Sequence, residues 1–337
     1  MHAVRLHAFG PAENLVYEEV PDLTPGPGQV RIAVAASGVH LVDTVLRQGP
    51  VPDAPHFPVP ELPTVPGREV AGTVDAVGEG VDAAWLGRRV AAHLGMVPGG
   101  YGTQAVTGEE KLHALPDGLP FDRAVALLGT GRMTMGVLRF TEIAAGDTVL
   151  VLAAAGGIGS LLVQYARHRG ATVVGAAGGP AKVAVVKDLG ADLAVDYDAP
   201  GWADEIRAAL GDRPVKHLFE GVGGDRGHAA LALLAPGGTH VCYGYAATGT
   251  DAAGHVAPSP EEQAALGITS VTALGPTLFA RIGGQENMRL LEEESFAQAA
   301  SGVLVPLVQR FPLAEAARAH RALETRATTG KVVLVSP

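Results

Sequence analysis

Cysteine is nearly missing from this chain: Cys242 is the single one among 337 residues. That excludes an internal disulfide and any structural zinc site built on several thiolates, and it suits a reducing, cytoplasmic setting. Positive charge is scarce as well. The 25 Lys and Arg stand against 35 Asp and Glu, for a net charge of −10, which argues against the basic footprint that nucleic-acid binding needs. A local Lys or Arg can still hold a phosphate in so acidic a protein. The opening MHAVRLHAFG has no long apolar run and does not read as a secretory signal. Residues 148–166 are the exception among the hydrophobic stretches, uncharged and about as long as a membrane span. The Ala-Ala-Ala-Gly-Gly run at 153–157 would break such a helix in its middle. A strand, a tight turn and a helix are expected there instead, with no membrane contact.

Glycine is what the chain has in plenty, 45 residues, well above the usual share of about 7%. These glycines follow no collagen period and cluster at turns, as in an α/β protein with short connections. Apolar residues make up 47% and charged residues 18%, so core material is ample and two domains are expected at this length. The first third reads as short β elements, with VRIAVA from Val30 alternating at period two and VAGTVDAV from Val70 rich in β-branched residues. Between them, Gly49 to Gly67 holds seven prolines and must be loop: a surface connector or one wall of a cleft. From about Phe121, strands alternate with helices. Strands are expected at 148–153, 171–176, 193–195, 215–219 and 239–243, and helices at 157–169, 180–189 and 202–210. That alternation predicts a parallel sheet covered on both faces. A helix at 313–324 and a strand at 331–335 close the chain.

The strongest local signal lies in GDTVLVLAAAGGIGSLLVQYARHRGATVVGAA, residues 146–177. Ala153-x-x-Gly156-x-x-Gly159 takes the place of the usual G-x-G-x-x-G. Small residues let the backbone approach a pyrophosphate, whose charge meets the N-terminus of the following helix. A Gly-rich structural turn is the plain alternative, but the strand before, the helix after and the further βα units behind favour a dinucleotide. At the end of the next strand, binders of the unphosphorylated coenzyme place an Asp or Glu for the ribose hydroxyl. Here Ala176, Ala177, Gly178 and Gly179 stand in that place, with Lys182 four residues past Gly178 and Tyr197 after the third strand. A missing acid beside a cation suits a 2′-phosphate, so NADPH is the expected cofactor.

Four segments then show a resemblance. PGREVAGTVDAVGEGV (66–81), VRIAVAASGVHLVDTVLRQG (30–49), AAAGGIGSLLVQYA (153–166) and TRATTGKVVLVSP (325–337) are similar to the quinone oxidoreductase, zeta-crystallin-like branch of the zinc-free medium-chain dehydrogenase/reductase superfamily. The resemblance covers essentially the whole chain. It implies an α/β fold, with a Rossmann doubly wound parallel sheet plus a GroES-like, mostly-β catalytic domain. The expected bounds are 1–121 for the catalytic domain, 122–270 for the NADPH-binding domain and 271–337 for the return to the first, with the active site in the cleft between them. By the same resemblance, Gly156, Gly157, Ile158 and Gly159 face the pyrophosphate and Lys182 and Tyr197 the 2′-phosphate. Val222, Tyr243 and Gly244 lie near the nicotinamide, and Arg326 contributes from the tail. His40, Asp43 and Arg47 line the cleft segment.

Departures narrow the chemistry. The zinc alcohol dehydrogenases have Cys where this chain reads Val39 or His40, and His where it reads Arg68, so a catalytic metal would lack two ligands. His93 and His113 read as ordinary histidines, and no metal is expected. The zinc-free branch commonly has Asn, Tyr and Thr where His40, Val45 and Met133 stand. Without a metal to polarise a carbonyl, the substrate must accept hydride readily, as quinones and α,β-unsaturated carbonyl compounds do. The catalytic candidates are His40, Asp43 and Arg132. Arg132 or the Tyr243 hydroxyl would steady an enolate-like product. His40 would titrate near neutral pH or else position the cofactor, and Asp43 is read more readily as a structural acceptor. An enoyl-thioester (CoA or carrier-protein) reductase and a non-catalytic NADPH-binding protein are the alternatives. A homodimer is implied by the resemblance, with a strand such as 240–243 near a sheet edge as one pairing surface.

Overall fold

The computed structural model describes residues 1–50, 59–95, 99–246 and 256–337. Much of the Pro-rich stretch, 51–58, therefore lies outside the described residues. The chain divides into two compact units, Met1–Thr130 with Pro306–Pro337, and Gly131–Val305.

Along the chain, the first unit opens with strands β1 (His2–Leu6), β2 (Leu15–Glu19) and β3 (Gln29–Val39) and helix α1 (Leu41–Gln48). It continues through β4 (Glu69–Val77), β5 (Arg89–His93), β6 (Gln104–Gly108), β7 (Leu112–Ala114) and α2 (Phe121–Ala126). The second unit starts with α3 (Arg132–Leu138) and β8 (Thr148–Leu152). Then α4 (Gly157–His168), β9 (Thr172–Ala177), α5 (Pro180–Asp188), β10 (Leu193–Asp196), α6 (Trp202–Leu210), β11 (Val215–Glu220), α7 (Gly224–Leu231) and β12 (Leu234–Cys242) alternate. It ends with α8 (Pro260–Leu266), β13 (Thr269–Thr272), α9 (Gly275–Ile282) and α10 (Met288–Ala300). The tail supplies β14 (Val308–Pro312), α11 (Ala316–Glu324) and β15 (Lys331–Val335). The apolar pattern from 313 starts as a 3-10 turn, and the helix proper begins at Ala316.

In the first unit, the sheet order is β14-β15-β3-β4-β5-β7, with β6 also pairing β3, and β1 and β2 form a separate antiparallel pair. The tail strand β15 runs antiparallel to β3, setting Val332 opposite Val39, so the last residues complete a sheet begun by the first ones. In the second unit, the order is β10-β9-β8-β11-β12-β13, with every pairing parallel. The order reverses at β8, the arrangement of a doubly wound nucleotide-binding sheet. All five residues of β8 are buried. Val149 and Val151 enter one apolar cluster and Leu150 and Leu152 the other, as alternation on a strand covered on both faces requires. The 148–166 segment is thus strand, turn and helix. No helix among the described residues is long and apolar enough to cross a membrane.

The bounds of the two compact units differ from the expected domain bounds at two places. The unit boundary falls at 130/131 rather than 121/122 because α2 packs on β3, β4 and β15 of the first unit. The return falls at 305/306 rather than 270/271 because α9 and α10 pack on α3 of the second. The strand at 240–243 is also no sheet edge. It belongs to β12, which lies between β11 and β13, and β13 is the outermost described strand on that side.

Candidate functional site

At the end of β8, Ala153 takes a left-handed conformation, φ +50°, and its carbonyl accepts the Gly156 amide at 2.8 Å. That carbonyl fills the space beside Gly159, where a Cβ would lie 2.2 Å from it and 2.9 Å from the Ala154 Cα. The third small residue of the motif is therefore required by contact with the first. Gly156 opens the 12-residue α4 with no side-chain cap. The first-turn backbone of Gly157, Ile158 and Gly159 thus carries the positive end of a helix with no side-chain cap, an arrangement suited to a pyrophosphate.

The neighbouring strand ends continue this rim. After β9, Gly178 and Gly179 lead into α5, whose first turn carries Lys182. The sequence shows no acid here, but the fold brings one: a Cβ on Gly178 would meet the Asp198 Oδ2 at 2.6 Å and the Tyr197 ring at 3.1 Å. Asp196 accepts the amides of Gly179 and Asp198, at 2.8 and 2.9 Å, and so fixes the loop carrying Tyr197. From the first turn of α7, Arg226 donates to Asp198 at 2.5 Å, and its guanidinium carbon lies 5.2 Å from the Tyr197 ring centroid.

At the end of β11, the buried Glu220 accepts the amides of Val222 and Gly223 at 2.5 and 2.7 Å. Burial pushes its carboxyl above the usual range, against the pull of those amides. Gly221, Val222, Tyr243 and Gly244 gather at this end, since a Cβ on Gly221 would lie 2.5 Å from the Tyr243 ring and one on Gly244 3.3 Å from the Gly221 carbonyl. The Tyr243 hydroxyl donates to the Leu152 carbonyl at 3.0 Å and is buried, so it is engaged within the sheet rather than offered to an oxyanion. The buried Cys242 thiol is pushed up to about 11, by burial first and Glu220 second, and is therefore unreactive at neutral pH. Arg132 is likewise engaged: it donates to Glu292 on α10 at 2.9 Å, a bond that joins α3 to α10.

The first unit holds a second constellation. His40 precedes α1, and its Nε2 lies 2.6 Å from Glu69 Oε1 and 2.6 Å from Lys331 Nζ. Lys331 Nζ is 3.2 Å from the other carboxylate oxygen, and Glu69 and Lys331 are 1% and 4% exposed. Burial alone would raise the Glu69 carboxyl, but His40 and Lys331, then His93, hold it well below the usual carboxylate range. Neither carboxylate oxygen has an aligned hydrogen bond among the described residues, so opposite charge holds this group. The His40 side chain is 27% exposed, which makes it the open member of the trio. Asp43 accepts the His40 amide at 2.8 Å and the Tyr101 hydroxyl at 3.3 Å, with Arg68 at 3.6 Å. Its place is that of a structural acceptor. Arg47 is buried against Glu324. Arg326 is exposed and left-handed, φ +57°, just past α11.

An alcohol dehydrogenase GroES-like domain matches residues 26–138, and a zinc-binding dehydrogenase matches residues 157–289. A quinone oxidoreductase of Pseudomonas aeruginosa is 34% identical, over 98% of this chain and 98% of its own length. The chain belongs to the quinone oxidoreductase family. A 2-haloacrylate reductase of Burkholderia sp is 33% identical, over 99% of this chain and 98% of that one. The crystal structure of Escherichia coli quinone oxidoreductase complexed with NADPH is similar with a TM-score of 0.83 and 28% identity, covering 99% of this chain and 100% of the other.

For a member of the quinone oxidoreductase family, the residues that sequence reading passed over are as telling as those it found. Glu69 left a signal, an acid that opens the mostly apolar β4, and so did Lys331, the charge that opens the otherwise apolar KVVLV. Asp198 and Arg226 left none, because their meeting brings a loop against the first turn of a helix 28 residues on. Among the described residues, no three His, Cys, Asp or Glu side chains form a group able to hold a metal ion.

Proposed function

We propose that this protein is an NADPH-dependent reductase that transfers hydride to a quinone or an α,β-unsaturated carbonyl compound without a metal ion. The observation that carries this reading is the turn at Ala153–Gly159. It meets an uncapped helix at the strand where the sheet order reverses, in a chain of the quinone oxidoreductase family. Its residues fit the cofactor: Gly159 admits no Cβ, Lys182 stands in the first turn of α5, and Arg226 of α7 lies over the Tyr197 ring. When bound, NADPH supplies the hydride.

The chain's residues do the rest. Gly156, Gly157, Ile158 and Gly159 hold the pyrophosphate, Lys182 and Tyr197 the 2′-phosphate. Val222, Tyr243 and Gly244 shape the nicotinamide end, and Arg326 contacts the cofactor from the tail. His40 is the proton donor to the substrate oxygen as negative charge develops there. Glu69 and Lys331 are positioning residues that fix its ring, and Asp43 fixes its backbone. Arg68 and His40 stand where a zinc enzyme has ligands, which is why no metal is assigned. The protein is read as a cytoplasmic homodimer, and β13, rather than β12, is the strand whose open edge could pair across a two-fold axis.

Parallel steady-state assays with NADPH and NADH against quinones, enones and crotonyl-CoA test this. NADPH consumption with quinones or enones is expected. Tight NADPH binding with no turnover across the panel would leave only the binding-protein alternative, and a strong preference for the thioester would move the assignment to the enoyl-thioester reductases.

A further inference from the structure

We infer that Arg226 is a specificity-determining residue for the 2′-phosphate, and that Asp198 is its built-in counter-charge. The pair, and not Lys182 alone, then sets the preference for the phosphorylated coenzyme. This rests on the NADPH reading above.

Asp198 lies against Gly178, at the end of β9, where a carboxylate in a doubly wound sheet accepts from the ribose hydroxyls and repels a phosphate. Taken alone, that carboxylate would favour the unphosphorylated coenzyme. Arg226 reverses the sign. It donates one guanidinium edge to Asp198 at 2.5 Å and stacks over the Tyr197 ring, with 5.2 Å to the centroid, which fixes the plane of its remaining donors. Its Nη2 carries the bond to Asp198 and the Nε, unpaired among the described residues, is buried, so Nη1 is the donor left for an acceptor. The side chain is 38% exposed and within reach of a ligand. A planar, always-charged fork suits phosphate oxygens, and its carboxylate partner holds it in place before the ligand arrives.

A consequence separates this from simple charge attraction. Removing Arg226 uncovers Asp198, so preference should invert and not merely weaken. The test is calorimetric titration with adenosine 2′,5′-bisphosphate and with 5′-AMP, which differ only in the 2′-phosphate, followed by NADPH and NADH. For Arg226→Gln we expect roughly 10- to 100-fold weaker binding of the bisphosphate, with 5′-AMP unchanged or tighter. Asp198→Asn should tighten the bisphosphate, and Arg226→Lys should restore only part of the loss. Melting curves that match the parent establish that each variant is folded. If the parent itself shows no preference for the bisphosphate, the NADPH reading fails. If the parent prefers it and Arg226→Gln keeps that preference in full, the inference about Arg226 alone is overturned.

Discussion

At Arg326, the backbone is held in a conformation that glycine takes far more readily. Its amide donates to the Leu323 carbonyl at 3.0 Å, and the next amide, of Ala327, reaches back to the Ala322 carbonyl at 2.8 Å. This left-handed closure of a helix end favours Gly, and a side chain there costs about 1 kcal/mol. A strained arginine is a reason to look for function at that residue, and the assigned role is contact with the cofactor. Arg326→Gly should therefore raise stability by about 0.5–1 kcal/mol, read from the denaturant midpoint, while weakening NADPH in calorimetry. A more stable variant with unchanged affinity would remove Arg326 from the site. Ala153, the other left-handed non-glycine residue among those described, sits at the first position of the nucleotide motif. In the sequence that alanine stands in for glycine by its small size alone; the left-handed backbone is a second reason that only the fold discloses.

Among elements, the telling case is β4, which carries the buried Glu69 into contact with β3 and β15. The carboxylate is wedged between two glycines. A Cβ on Gly38 would lie 2.4 Å from one of its oxygens, and one on Gly129 would overlap the other. Breaking a buried ion pair by removing one partner costs about 3–5 kcal/mol, because the remaining charge is left in a dry interior. Lys331→Met should cost about that much, and adding Glu69→Gln to it should recover a large part, as a double-mutant cycle by urea unfolding would show. Equal, additive losses would mean that the two residues do not act as a pair. The same case shows what the chain discloses on its own. The Rossmann elements are nearly all legible from period and turn residues, because each βα unit is local. The His40–Glu69–Lys331 trio is not, because it depends on a register that joins residue 39 to residue 332. The 2′ side shows this limit too: strand-end residues at 176–179 predict no acid, yet Asp198 arrives from the next loop but one.

For the molecule as a whole, both units bury a histidine that resists protonation. His240 in the second unit and His320 in the first are fully buried, and burial lowers each to about 4. Unfolded, each titrates near its ordinary value of about 6.5. Between those two values, the unfolded chain binds more protons than the folded one, so stability must fall as pH drops from about 6.5 to about 4. One pKa unit corresponds to about 1.4 kcal/mol, so each unit can shed up to roughly 3 kcal/mol through its histidine. Carboxylates act in a different window. Asp147 is lowered to about 2, its own burial being outweighed chiefly by Lys216, the Ala144 amide and His217. Its contribution is complete above about 4 and is lost only as pH falls toward 2. Acid unfolding should accordingly begin well above the carboxylate range. Urea midpoints at pH 7, 5.5 and 4.5 should decline steadily. In His320→Gln, whatever its absolute stability, the decline should be shallower for the first unit, and in His240→Gln for the second. A midpoint that stays flat from pH 7 to 4.5 would show that these imidazoles reach water in the folded protein.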